Sequence, residues 1–260
     1  MTYRKLEKRD RLQEKELNGA SLKSLTEKEF TDMLQKRRDG ERLVMSRYRV
    51  RDLDLRDADL RNIDFSCTRF ERVLLDGACM DRDDVSRCFF VDCSMKNVRL
   101  TNADATDASF RYLDLSGSDF SGTNFYYAAL EYANLENVTV SGTTRFFGDA
   151  VPKEGAFICW KVGAGNRVIQ LLVPADAGRV CATSEAGRCE KAKVLSITNA
   201  ERTENYTWAS AMVDDEFIYR AGEMVYPDNG FGTYGWLDDS PGIHFFMDRE
   251  MAVAFGTGKY

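Results

Sequence analysis

From Val50 to Val140 an apolar or small residue returns at every fifth position with no break in register, as in Leu60, Phe65, Phe70, Leu75, Met80 and Val85, and again in Phe110, Leu115, Phe120 and Phe125. A helix repeats its apolar positions at three and four, and a strand at two, so neither explains a period of five. A second small or apolar residue sits two positions before most of these, as in Leu53, Ala58, Ile63, Ala78, Cys88 and Ala103. The pattern is in, out, in, out, out. Three alternating residues make a short strand, and two successive outward residues require a corner. With a corner of about a right angle, four sides make a coil of twenty residues that stacks on the next at about 4.8 Å. That is a parallel solenoid whose backbone hydrogen bonds run between coils. Tyr48 to Gly142 holds nineteen five-residue units, with six phenylalanines on the central beat, each contributing on the order of 2 kcal/mol when buried. The ends of such a stack expose unpaired backbone and need capping.

Units such as Ala58-Asp59-Leu60, Ala103-Asp104-Ala105 and Ala133-Asn134-Leu135 resemble those of the pentapeptide-repeat proteins. The resemblance implies a right-handed quadrilateral parallel β-helix, and hence a mostly β chain.

Flanking segments differ in composition. Before the repeat, Thr26 and Glu29 form a capping box, Phe30, Met33 and Leu34 fall at helical spacing, and Gly40 can end the turn. A helix is predicted at about residues 27–39, its apolar face closing the bottom of the solenoid. Residues 1–19 mix Lys, Arg and Glu with sparse leucines and read as a solvated helix or frayed arm. After Thr143 the beat stops, and runs such as Phe157-Ile158-Cys159-Trp160 and Val168 to Val173 read as strands. The expected organisation is a helical leader and N-terminal cap at 1–47, the β-helix at 48–142 and a C-terminal α+β domain at 143–260. Segments of this last part, LLVPADAGRVCAT and PGIHFFMDREMAVAF among them, resemble an uncharacterised domain that follows pentapeptide repeats in phage-type proteins.

The chain has a net charge of −6, and residues 51–142 carry 17 acidic against 10 basic side chains. An acidic column disfavours direct nucleic-acid binding, which requires phosphate neutralisation. Neither a run of 18 apolar residues nor an apolar N-terminal segment occurs, so no membrane association is expected and the reading is cytoplasmic, in the host cytosol for a phage-encoded chain. Seven cysteines without a C-x-x-C pair fit reduced thiols better than a disulfide framework or a zinc site.

Few residues offer chemistry. His244 is the sole histidine, which excludes a multi-histidine metal site. It lies in Gly242-Ile243-His244-Phe245-Phe246, a strand-like run before a short helix from about Arg249, and it marks the candidate pocket of the C-terminal domain. The run resembles the GIYFA segment of ADP-ribosyltransferases but lacks the partner histidine and the E-x-E pair of that family. Cys189, beside Arg188 and Lys191, is the candidate nucleophile, since nearby positive charge favours thiolate. No metal, cofactor or catalytic residue is assigned, and the chain reads as a non-enzyme.

Residues twenty apart stack on the outer columns. Asp64, Asp84, Asp104 and Asn124 form one ladder, which either presents a negative stripe or bonds nearby turn amides. Tyr112 and Tyr132 form another, beside Tyr126 and Tyr127, and exposed tyrosines suit an interface with a partner protein, a second copy of the chain or its own following domain. The function read from these features is protein binding, of the kind a phage-encoded inhibitor of a host defence protein performs. The alternative is a DNA mimic that occupies a DNA-processing enzyme such as topoisomerase. The inward register also contains Asp83, expected at a corner pushed into solvent or bonded to turn amides.

Overall fold

The computed structural model describes residues 22–38, 40–236 and 240–259, so the readings for residues 1–19 lie outside it. The chain divides into two compact units, Met1–Phe146 and Phe147–Tyr260.

The first unit opens with β1 (Lys23–Leu25) and α1 (Glu27–Gln35). Thr26 and Glu29 close the capping box reciprocally, satisfying two amides that a helix start leaves open. The helix is shorter than its sequence pattern, because Lys36 already forms its C-cap. Only Phe30 on α1 is buried, and its ring stacks on Phe65 with centroids 6.5 Å apart. Arg37, just beyond, donates to the Arg61 carbonyl at 2.8 Å and pairs with Asp59 at 3.3 Å.

Parallel pairing begins earlier than the beat suggests. β2 (Leu43–Val44) lies on β4 (Ile63–Asp64), and Met45, one beat before Val50, is fully buried. β1 pairs with β3 (Tyr48–Arg51), placing Leu25 beside Val50. Beyond them β3, β5 (Arg69–Glu71) and β6 (Phe89–Val91) stack in parallel at a spacing of twenty residues. Further ladders run Asp54, Leu74, Ser94; Asp59, Cys79, Arg99, Asp119, Thr139; and Asp64, Asp84, Asp104, Asn124. At the far end Asn124 pairs with Arg145, so the twenty-residue spacing gains one residue there. Val140, the final beat, is 47% exposed rather than interior.

Most five-residue steps use the same corner, while those at Asp52, Asn62, Arg72 and Asp92 bend without closing its hydrogen bond. Leu55 accepts from Ala58, Phe65 from Thr68 and Leu75 from Ala78, closing a four-residue turn. Its third residue is left-handed throughout, from Asp52 and Asp57 to Asn137, with Gly77, Gly117 and Gly122 at the same phase. Asn, Asp and Gly dominate because they adopt this conformation most readily. Inside, Phe70, Phe90 and Phe110 stack face to face at 5.0 and 5.2 Å, adding about 0.5–1.5 kcal/mol per pair to their burial.

Asp83 bonds a turn amide, as one of the two expectations had it, but its corner is neither exposed nor displaced. Asp83 is 1% exposed, and the ladder passes through Asp64, Asp84 and Asp104 without a bulge. Its Oδ1 accepts from the Ile63 amide at 2.7 Å, twenty residues back. Thr68 and Ser118, in the same phase, accept likewise from Tyr48 and Val98, and also donate twenty-three residues back, to the carbonyls of Met45 and Met95. Among the described residues Asp83 makes no such second bond, and its Oδ2 is a buried atom without a partner. Burial of this carboxyl, with one oxygen unpartnered, pushes its pKa up to about 8. The corner stays regular with the Asp83 carboxyl accepting from the Ile63 amide where Thr68 and Ser118 present a hydroxyl.

The second unit is built on a seven-stranded sheet ordered β14-β11-β8-β7-β15-β10-β9. The strands are β7 (Phe157–Val162), β8 (Val168–Val173), β9 (Arg179–Cys181), β10 (Ala186–Cys189), β11 (Ala192–Thr198), β14 (Met224–Val225) and β15 (Ile243–Phe246). All its pairings are antiparallel. β12 (Trp208–Ser210) and β13 (Ile218–Arg220) form a separate hairpin pair. One face carries the main core, with Cys159, Ile169, Leu171, Ile243 and Phe245. Gly187 permits it, since a Cβ there would lie 2.7 Å from the Phe245 ring. On the other face Val162, Val168 and Phe246 meet Ala252 of α2 (Arg249–Gly256), which Asp248 caps.

Candidate interaction surface

The turn geometry decides what the carboxylate ladder can do. Asp64, Asp84 and Asp104 do lie one above another. Each Oδ1, however, accepts from the amide two residues on, at Ser66, Ser86 and Thr106, at 2.9 to 3.0 Å. Asp114 and Asp119 make the same bond at other corners. This is the local Asx bond that favours Asp in turns.

Charge elsewhere on the unit is matched at close range. Arg72 pairs with Asp52 at 2.7 Å, Arg61 with Asp59 at 2.8 Å and Arg111 with Glu131 at 2.9 Å, while Arg99 binds Asp81. Arg51 and Arg69 both grip Glu71. Arg56, bonded to Asp54, holds that carboxyl down to about 2. The acidic excess is thus interleaved with guanidinium groups and does not present as a bare stripe.

The tyrosines behave differently. Tyr112 and Tyr132 stack with centroids 5.2 Å apart and planes 9° from parallel, and are 66% and 46% exposed. Tyr126 meets Tyr127 edge-on at 4.6 Å and Phe146 at 4.8 Å. Phe146 lies past the end of the five-residue beat, and the single-residue insertion that seats it leaves no periodic signal. Tyr112, Tyr127 and Tyr132 occupy the left-handed corner, with φ of 63°, 56° and 60°. A bulky side chain there costs on the order of 1 kcal/mol more than glycine. The sequence therefore places aromatic rings where Asn, Asp or Gly is easier, and leaves two of them outside in mutual contact.

In the second unit His244 is half-buried on β15, beside Arg188 of β10. Its Nε2 is 3.1 Å from the Ser240 carbonyl, and its own carbonyl accepts from Lys161 at 3.2 Å. Cys189 is not the activated thiol its neighbours in sequence suggested. It is fully buried, and burial pushes the thiol up to about 12. Lys191 turns away to pair with Asp176 at 2.7 Å. Sequence adjacency misled because alternation along β10 sends Cys189 inward. Among the described residues no group of three or more His, Cys, Asp or Glu side chains is placed to hold a metal, and no helix is long and apolar enough to cross a membrane.

Two family models match the chain. Pentapeptide repeats, in eight copies, match residues 54–90 and 106–142, and a family of unknown function (DUF5758) matches residues 147–252. The ladder continues through the unmatched stretch, at Ser94 and Arg99. No curated protein matches. Among solved structures, the chain is similar to Rfr23, a pentapeptide repeat protein of the cyanobacterium Cyanothece 51142, at 19% identity, with 35% of this chain and 62% of that one covered and a TM-score of 0.34. A pentapeptide repeat protein from the thylakoid lumen of Arabidopsis thaliana is 30% identical over 35% of this chain and 60% of that one, with a TM-score of 0.23. QnrB1, a plasmid-mediated fluoroquinolone resistance protein, is 17% identical over 38% and 64%, with a TM-score of 0.21. The chain thus spans about three fifths of the length of these proteins.

Proposed function

From the premise that this chain carries a pentapeptide-repeat domain joined to a DUF5758 domain, we propose that it is a non-enzymatic protein-binding protein. In this reading the repeats form a right-handed quadrilateral β-helix closed at its start by α1, and the helix acts as a rigid support. The observation that carries it is the stacked, exposed Tyr112–Tyr132 pair on strained corners. Aromatic residues on a rigid support lose little entropy on binding and dominate interface energetics. For a phage-encoded chain, occlusion of a host defence protein in the cytosol is the corresponding biological role.

Competing with it is charge mimicry of DNA directed at a DNA-processing enzyme, which the stacked Asp64, Asp84 and Asp104 favour. The arginine pairing across the same unit counts against it. Affinity capture with the full chain separates the two. Tyr112→Ser with Tyr132→Ser is expected to abolish recovery of the partner, while Asp64→Asn, Asp84→Asn and Asp104→Asn together leave affinity and salt response unchanged. Loss of the partner with the aspartate set alone, and with it the salt dependence, would replace binding through tyrosine by mimicry.

A further inference from the structure

One face of the large sheet in the second unit carries a polar floor. Trp160 of β7 pairs with Gln170 of β8, which pairs with Ser196 of β11, and the Ser196 hydroxyl donates to Gln170 Oε1 at 3.1 Å. Ile169, Leu171 and Ile197, which alternate with these residues, are buried in the main core on the opposite face. Plain alternation from Val194, itself in that core, would turn Ser196 inward and Ile197 outward. A register shift between Val194 and Ser196 reverses the phase. The bulge thus delivers Ser196 and Thr198 to the polar face, a common use of bulges beside functional sites.

Three further side chains stand around this floor: Arg202 and Asn205 from the loop after β11, and Arg249 from the start of α2. Together they bound an open cleft of about 310 Å³, at the lower end of the ~300–1,000 Å³ typical of small-molecule sites. The loop is held in advance. Asn199 Oδ1 accepts from the amides of Thr203 and Glu204 at 2.8 and 3.1 Å, and its Nδ2 donates to the Thr203 hydroxyl at 2.7 Å. Arg202 sits in the left-handed conformation at φ 61°. Arg249, only 9% exposed, donates to the carbonyls of Ala200 and Asn199 at 2.7 and 3.3 Å and so ties the loop to the helix.

The lining contains two guanidinium groups, two carboxamides, two hydroxyls, an indole and Val168, and no carboxylate, though Glu250 outside it pairs with Arg249 at 3.0 Å. Glu204 points to the Tyr206 hydroxyl instead, at 2.5 Å. Among the described residues the Arg202 guanidinium has no hydrogen-bond or ion-pair partner. An uncompensated guanidinium at the rim suits a phosphate, which it can grip with two parallel bonds. An indole beside hydroxyl and amide groups suits a flat ring with polar edges.

The geometry points to a binding site for a nucleoside monophosphate, with the base against Trp160, Gln170 and Ser196 and the phosphate on Arg202. This site is separate from the tyrosine surface and stands or falls independently of it.

Isothermal titration of the full chain with AMP, GMP, CMP and UMP tests the assignment, with the matching nucleosides and inorganic phosphate as half-ligands. At least one nucleotide is expected to bind, with nucleoside and phosphate each about tenfold weaker or worse. Arg202→Gln should weaken the nucleotide about tenfold or more, and Arg202→Lys should recover part of the loss. Arg202 is exposed, so its variants should fold, as circular dichroism will show. Inorganic phosphate binding as tightly as the nucleotides would overturn the ring seat. No heat with any of the four at millimolar concentration, or binding indifferent to Arg202→Gln, would overturn the site.

Discussion

In the repeat unit the ladders join residues twenty positions apart, whereas the second unit is tied by contacts such as Lys161 to the His244 carbonyl, 83 positions away. The first is a stack of near-identical steps, each satisfied by its neighbours. In the second, no step resembles another, and the special geometry arises where distant segments converge. Departures from rule therefore mean different things in the two. In the repeats a departure can be compared with its siblings, as Asp83 can with Thr68 and Ser118. In the sheet unit a feature such as the β11 bulge has no sibling, and its meaning comes from what surrounds it.

The comparison breaks most severely if the repeat core proves tolerant. Phe90 lies between Phe70 and Phe110, and Phe90→Ala should cost about 3–5 kcal/mol through lost transfer energy and a cavity. Urea denaturation measures it, and a loss below about 1 kcal/mol would mean that coils readjust independently.

Next in size is the pH response of Asp83. Its folded pKa of about 8 lies above the ordinary carboxylate value, so the folded state holds a proton that the unfolded state releases near pH 4. Stability contributed by this site is therefore full below about pH 4, declines as pH rises towards 8, and is level above that. The slope is about 1.4 kcal/mol per pH unit at its steepest. Asp83→Asn keeps an acceptor for the Ile63 amide and does not titrate. Urea midpoints at pH 5 and pH 8.5 should diverge for the wild type and converge for the variant. Equal slopes in both proteins would remove Asp83 from the list of hydroxyl equivalents.

A smaller effect tests the long-range ties of the sheet unit. Arg249→Met removes charged bonds to the Asn199 and Ala200 carbonyls and should cost about 1.5–3 kcal/mol, with faster amide exchange confined to residues 199–205. Uniformly faster exchange would show that Arg249 supports the whole sheet rather than the loop. The smallest effect is expected for Tyr112→Asn. Relief of the left-handed corner, about 1 kcal/mol, offsets a lost ring pair worth about 0.5–1.5 kcal/mol. A change in stability beyond about 1 kcal/mol would make the tyrosine pair part of the fold rather than of its surface.

Much of the repeat unit was legible because a period of five assigns inside and outside residue by residue, from Leu60 to Leu130. Its limits were less so. The parallel pairing begins at Leu43 to Met45, one step before the first unit read from the beat, and the spacing gains one residue before Arg145. The turn-amide bond of Asp83 was legible, but its full burial was not, because a carboxylate reads as charged and outward. In the second unit Val194-Leu195-Ser196-Ile197-Thr198 looks like a plain strand, and nothing in it marks the bulge. Nor does sequence bring Arg202 and Arg249 to one cleft with Trp160, since that proximity depends on sheet order. Charge beside Cys189 was visible in sequence, and its burial was not.

The left-handed corners carry one consequence for how such a chain can vary over time. Their backbone amides bond to carbonyls nineteen residues on, as Asp57 does to Asp76 and Arg82 to Thr101, so corner side chains are not required for the ladder. Selection on the interior and selection on the corners can proceed almost as separate problems. The interior restricts residues to a few sizes, while the corners accept aspartate, arginine, cysteine or tyrosine within one chain. A lineage can then exchange what it recognises by rewriting every fifth letter, while the letters that determine the coil stay as they are.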